Sequence, residues 1–326
     1  MERTEVNISS NFPLLNVNDR ALFLGSCFSE NIGRKFQEYK LQATVNPLGV
    51  VFHPIPLFNQ IKRALSNDFY IESDFFEFND YWFNYELSGS CAKFDKQEAV
   101  SWANKKLGDL KQNLKESERL FLSLGSAVER SFLGHVVANC HKQPIKNFER
   151  KITVVHTLVE NISPVLDGVF ALNPNLKIYF TVSPVRHLKE GLLDNTISKS
   201  TLILLCQELC NRFNNVEYLP IYEVVIDELR DYSFFKDDLL HPNDKAVEYI
   251  WHKLISSLAS SELKTYLEDS SKLLKAFNHK SLYPKSISNI SFLNNLKLSL
   301  AKHQKEYNLN WREEIEIVKE KLENMA

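Results

Sequence analysis

Ala21-Leu22-Phe23-Leu24-Gly25-Ser26 sets the reading of the whole chain. Four apolar residues break on a glycine and a serine, which is the pattern of a short strand buried on both faces and ending in a turn. The pattern recurs. Leu120-Phe-Leu-Ser-Leu124 runs into Gly125-Ser126, Lys177-Ile-Tyr-Phe-Thr-Val182 into Ser183-Pro184, and Val216-Glu-Tyr-Leu219 into Pro220. A weaker run, Leu41 to Val45, ends on Asn46-Pro47. Helix-like stretches lie between them. Ser29 is expected to cap a helix to about Tyr39, Ser198 one through Phe213, and Asn243 or Asp244 one to about Leu258. Strands alternating with helices predict a parallel sheet covered on both faces, with the ligand site beyond the carboxyl ends of the strands.

Two regions depart from this alternation. Residues 54–115 are aromatic-rich and acidic around Tyr70 to Tyr85, then lysine-rich. They are expected to form a helical and irregular insertion after the second strand, covering the sheet edge. Beyond residue 262 the chain is polar and helical without a strand candidate, so residues 1–262 are expected to form one domain and 263–326 a helical C-terminal extension. Its last stretch, Trp311 to Met325, reads as a solvated packing helix.

The 326 residues are 44% hydrophobic and 25% charged, which matches a soluble globular protein and excludes a disordered or fibrous one. Thirty-nine basic against forty-one acidic side chains offer no general attraction to nucleic acid or to an anionic membrane. Met1 to Leu15 lacks the apolar core of a secretory signal, and no apolar stretch approaches the roughly 20 residues needed to span a bilayer. Cys27, Cys91, Cys140, Cys206 and Cys210 form an odd set in a chain too large to need stapling. The expected compartment is the cytoplasm.

The chemistry-bearing residues cluster at the strand ends. In Phe235-Lys-Asp-Asp-Leu-Leu-His-Pro-Asn243, Asp238 and His241 are three positions apart in a loop that Pro242 leads into a helix. A carboxylate there can orient one imidazole nitrogen and leave the other free as a general base, although an Asp near a helix start is also a common cap. Ser26 follows a strand and a glycine and precedes a helix, so its hydroxyl would sit by a positive helix N-terminus, where amides can serve an oxyanion. The alternative is that Ser26 only turns the chain. The stretch is not the Gly-x-Ser-x-Gly elbow of α/β-hydrolases. Arg186 and His187, after another strand, can bind a carboxylate or phosphate; for Arg186 a structural ion pair is the competing reading.

Gly25-Ser26-Cys27-Phe28-Ser29 resembles the signature of the GSCFA family, a bacterial group similar to SGNH/GDSL esterases. The resemblance continues through Asn46-Pro-Leu-Gly-Val-Val-Phe52, Leu122-Ser-Leu-Gly-Ser126, Val136-Val-Ala-Asn-Cys-His-Lys-Gln-Pro144, Thr181-Val-Ser-Pro-Val-Arg-His187, Ser198-Lys-Ser-Thr-Leu202 and Asp238-Leu-Leu-His-Pro242. It implies a three-layer α/β/α, flavodoxin-like (SGNH hydrolase-like) fold and serine esterase or acyltransferase chemistry without a cofactor. The implied substrate is a small-molecule or carbohydrate acyl ester. By position, Ser26 is the nucleophile, His241 the base and Asp238 its orienting partner. The implied oxyanion donors are the Ser26 amide, the Gly49 amide and an asparagine side chain after the third strand. That last position departs from the pattern, because Gly125-Ser126-Ala127 stands where Gly-x-Asn is expected. Asn46 or Asn139 is then the substitute donor. His141 is a candidate substrate contact, unless Asn139-Cys140-His141 merely forms a turn bonded to its own backbone.

Two other classes compete with the esterase. One is a non-catalytic binding protein on the same scaffold, since fold does not fix function. The other is a metal-dependent hydrolase using some of His53, His135, His141, His187 and His241, although no His-Glu-x-x-His or paired-Cys spacing supports it.

Overall fold

A computed structural model describes residues 4–324. The leader reading at Met1–Arg3, and Met325 of the last expected helix, lie outside the described residues.

Five strands build the central sheet: β1 (Ala21–Gly25), β2 (Ala43–Val45), β5 (Arg119–Leu124), β9 (Lys177–Val182) and β10 (Val216–Tyr218). All pairings are parallel and the spatial order is β10-β9-β5-β1-β2. Counted along the chain within this sheet, that is the 2-1-3-4-5 order of flavodoxin-like doubly wound folds, whose switch point lies between the first and third strands. The switch point here falls between β1 and β5. Both strands are buried along their whole length, as continuous apolar runs require.

The two faces carry separate cores. Leu22, Leu122 and Phe180 face α2 (Pro54–Ser66), α3 (Lys96–Glu116), α4 (Val155–Leu172) and α5 (Leu192–Arg212). Phe23, Phe121 and Tyr179 stack in register on the other face, against α1 (Cys27–Glu38) and α7 (Asp244–Leu258). The amphipathic spacing explains the latter pair: Phe28, Ile32 and Phe36 line one side of α1, and Ala246, Ile250, Trp251 and Leu254 one side of α7. The chain is therefore a three-layer α/β/α fold.

Several local expectations are corrected. Ser29 does not cap α1; its hydroxyl donates to the Leu24 carbonyl, and Ser26 is the cap. α5 starts at Leu192 after Gly191, not at Ser198, whose buried hydroxyl instead accepts the Ala127 amide at 2.7 Å. The region 54–115 is no mere edge cover. Its helices α2 and α3 form part of one face, and between them lies a hairpin of β3 (Phe76–Phe78) and β4 (Tyr81–Phe83). A second small sheet follows β5, with order β7-β6-β8: β6 (Val128–Phe132), β7 (His135–Val136) and β8 (Glu149–Ile152).

After β10, α6 (Ile221–Glu223) passes into a π-helical turn, Val224–Glu228. The C-terminal region is helical: α8 (Ser261–Asn278), α9 (Ile287–Tyr307) and α10 (Arg312–Glu323). α8 joins two cores. Its Leu263 and Tyr266 pack under α1 and α7, while Leu273 and Phe277 pack with Leu300, Trp311 and Val318 of the last helices.

Candidate functional site

Ser26 is placed by β1 and α1 together. Gly25 bends the strand end at φ +111°, and a Cβ there would lie 2.2 Å from the Ser123 carbonyl oxygen, so only glycine fits. The Ser26 amide donates to that same oxygen at 2.8 Å. Ser26 then becomes the N-cap of α1, its Oγ accepting the Phe28 amide at 3.2 Å. The same Oγ lies 2.7 Å from the Ser123 hydroxyl, and Ser26 is fully buried.

The Asp238–His241 loop arrives at the same end of the sheet. α7 ends beside the start of β1, where the Leu258 carbonyl accepts the Leu15 amide at 2.7 Å, so its N-terminus lies at the carboxyl end of the strands. α1 runs alongside in the same direction, tied by the Lys35–Glu248 ion pair at 2.7 Å and by Phe36 edge-on to Trp251. Asn243 caps α7 through the Ala246 amide, as the sequence predicts. Just before it, Asp238 Oδ1 accepts the amides of Leu240 and His241, both at 2.9 Å, while Oδ2 meets His241 Nδ1 at 2.6 Å. The His241 amide, with the Leu240 amide and the ring beside it, holds the Asp238 carboxyl down at about 2. Both side chains are nearly half exposed.

Of the influences on the Cys27 thiol beside Ser26, the charge of Lys236, at the head of the late loop, is among the weakest. Among the described residues, no hydrogen bond joins Ser26 to His241. The serine hydroxyl is turned to Ser123 and the Phe28 amide. Burial raises the Cys27 pKa, with Glu30 adding to it, which keeps the thiol protonated and disfavours it as a nucleophile.

Lys199 is a site residue that sequence reasoning missed. It is 1% exposed and donates to the carbonyls of Gly125 at 2.6 Å and Ser183 at 2.7 Å, tying the ends of β5 and β9. Burial without a carboxylate partner pulls its pKa down to about 7. The available signal was position: Ser198, Lys199, Leu202, Cys206 and Leu209 share the buried side of α5. His187 packs edge-on to Phe52; burial, then the Lys199 charge, lowers it to about 4, so it is neutral.

The implied oxyanion set is rearranged. The Gly49 amide donates to the Asn46 carbonyl at 2.8 Å, the Gly125 amide to the Phe52 carbonyl at 2.8 Å, and the Ser26 amide to Ser123. Asn46 accepts the Gly25 amide on Oδ1 at 2.8 Å, and its buried Nδ2 has no partner. That buried amide nitrogen is therefore an uncommitted donor among the described residues. Asn139 accepts the His141 amide on its own Oδ1, the turn reading; His141 donates from Nε2 to the Asn84 carbonyl inside an aromatic cluster of Phe76, Phe83 and Tyr85. Neither residue bonds to Ser26 or Asn46. Arg186 is exposed and takes part in none of the described ion pairs.

The histidines are dispersed. His53 caps α2, accepting the Ile55 amide on Nδ1, and bonds Thr153 through Nε2. Among the described residues no group of three or more His, Cys, Asp or Glu side chains is placed to hold a metal ion. No helix among them is long and apolar enough to cross a membrane.

No curated protein matches the chain. The GSCFA family profile matches residues 20–254, from the start of β1 to within α7, and the profile of the GSCFA domain protein C-terminal domain matches residues 270–324. Both Ser26 and the Asp238–His241 pair fall within the first match, and the chain belongs to the GSCFA family.

Proposed function

We propose that the protein is a serine esterase or acyltransferase acting on an O-acyl ester through an acyl-enzyme intermediate. The observation that carries this reading is the pairing of two helix N-termini at the switch-point edge: Ser26 caps α1, and an Asp238-oriented imidazole precedes the parallel α7. Substrate would draw the Ser26 hydroxyl away from Ser123 toward His241 Nε2, which takes its proton as the oxygen attacks the carbonyl. Asp238, held ionised, stabilises the imidazolium. The developing oxyanion would meet Asn46 Nδ2 and the positive end of α1. The imidazolium then protonates the leaving oxygen. Water or an acceptor hydroxyl such as a sugar's, deprotonated by His241, releases the acyl group. The five cysteines are free, which supports a reducing cytoplasm as the compartment.

A second reading has its own support. The buried Ser26 hydroxyl is bonded to Ser123, and the expected oxyanion amides are committed to carbonyls; both features suit a non-catalytic binding protein on the same scaffold. Hydrolysis of a short p-nitrophenyl ester separates the two. Ser26→Ala and His241→Ala each reduce turnover to the buffer rate if the enzyme reading holds; turnover unchanged in both variants refutes it.

A further inference from the structure

A cavity of about 190 Å³ opens beside the His241 loop, on the side of the π-helical turn. Its apolar part is formed by Val225, Leu229 and Phe235, and its rim carries Arg186 and Arg230. Leu239 closes one side; it sits two residues before His241, at φ +57°, in a turn clasped by Lys236 and His241 backbone bonds of 2.8 Å each. This wall is therefore continuous with the candidate base. Among the residues that line the cavity, Arg186 and Arg230 stand against one carboxylate, Asp231. The lining itself therefore carries one more positive than negative charge beside an apolar wall.

Resting on the esterase reading above, we propose that this cavity selects the acyl group of the substrate: a short aliphatic chain ending in a carboxylate, as in a hemi-dicarboxylate ester. The apolar wall of Val225, Leu229 and Phe235 suits a few methylenes, and the cavity volume of about 190 Å³ suits a short acyl group. The terminal carboxylate then meets two planar forks, the geometry guanidinium groups match in pairs of parallel hydrogen bonds. With the carboxylate at the arginines, the ester end of a four-carbon acyl group would leave the cavity past Leu239, on the loop that carries His241.

Two measurements test this. Calorimetric titration of succinate reads the cavity alone, and it is repeated in Ser26→Ala so that no catalysis is needed. The ratio of kcat/KM for mono-p-nitrophenyl succinate to that for p-nitrophenyl acetate reads selection. Arg186→Ala and Arg230→Ala should each weaken succinate binding about ten-fold, the size of one charge-assisted contact, and lower the ratio by a similar factor. Arg186→Lys, which keeps the charge but loses the fork, should fall between. The cavity proposal is overturned if succinate binding is absent or indifferent to both arginines, or if inorganic phosphate binds more tightly than succinate; ester cleavage lost with Ser26→Ala would still leave the nucleophile in place. Succinate binding that needs the arginines, in a protein that cleaves neither ester, supports the anion site and removes the esterase reading instead.

Discussion

Ser26 Oγ and Ser123 Oγ lie 2.7 Å apart, joining the ends of β1 and β5 at the point where the strand order reverses. The bond commits the hydroxyl of the proposed nucleophile to a neighbouring strand. A neutral hydrogen bond contributes about 1 kcal/mol net, so it is a latch that a bound substrate can open. Ser123→Ala should therefore label faster with an active-site phosphonate, by about five-fold. A slower rate would mean that Ser123 orients Ser26 for attack and does not restrain it.

Gly25→Ala combines a positive φ with a Cβ 2.2 Å from the Ser123 carbonyl oxygen. The strain and clash together should cost about 3 kcal/mol or more. Urea unfolding should show the loss, and a variant as stable as the wild type would mean that the β1 end is laid out differently.

These two positions show what could be read from sequence. The runs at Ala21, Leu120, Lys177 and Val216 were legible because each is dominated by apolar residues and stops on a glycine, serine or proline turn signal. Glu149-Arg-Lys-Ile152 was not legible, because β8 is exposed for most of its length and pairs with β6 through backbone bonds. Phe76–Phe78 and Tyr81–Phe83 were hidden because each strand is three residues long, too short to display an alternating pattern. Ser198 looked like a cap because serine at a helix start is common; its actual role is a tertiary bond to Ala127, which no local pattern encodes. Ser26, Asp238 and His241 stood out by type and order. Lys199 and Ser123 did not, since their roles depend on which carbonyl or hydroxyl a neighbouring strand brings near.

Lys199 makes stability depend on pH. Below about pH 7 both folded and unfolded chains hold its proton; between about 7 and 10.5 only the unfolded chain does. Stability must rise with pH across that window, by up to about 1.4 kcal/mol per unit for one proton. Lys199→Met removes that gradient while leaving the Gly125 and Ser183 carbonyls without their donor. The stability gap between wild type and variant should widen by about 2 kcal/mol from pH 7 to pH 9 in chemical unfolding. A gap that stays constant would show that the ammonium keeps its proton.

Asp238→Asn removes the charge that stabilises the imidazolium and permits the wrong ring tautomer. If His241 is the base, kcat for the p-nitrophenyl ester falls about 10³–10⁴-fold. Because the Asp238 carboxyl is held down at about 2, its contribution in the wild type persists to below pH 3 and is lost only as pH falls through 2. A variant with near-normal kcat would make the Asp238 contact a loop cap only.

The most direct measurement is covalent labelling with a fluorophosphonate, followed by peptide mapping. The account predicts one adduct, on the peptide carrying Ser26, absent in Ser26→Ala and strongly slowed in His241→Ala. No adduct on folded wild-type protein, or an adduct on another residue that persists in Ser26→Ala, would contradict it.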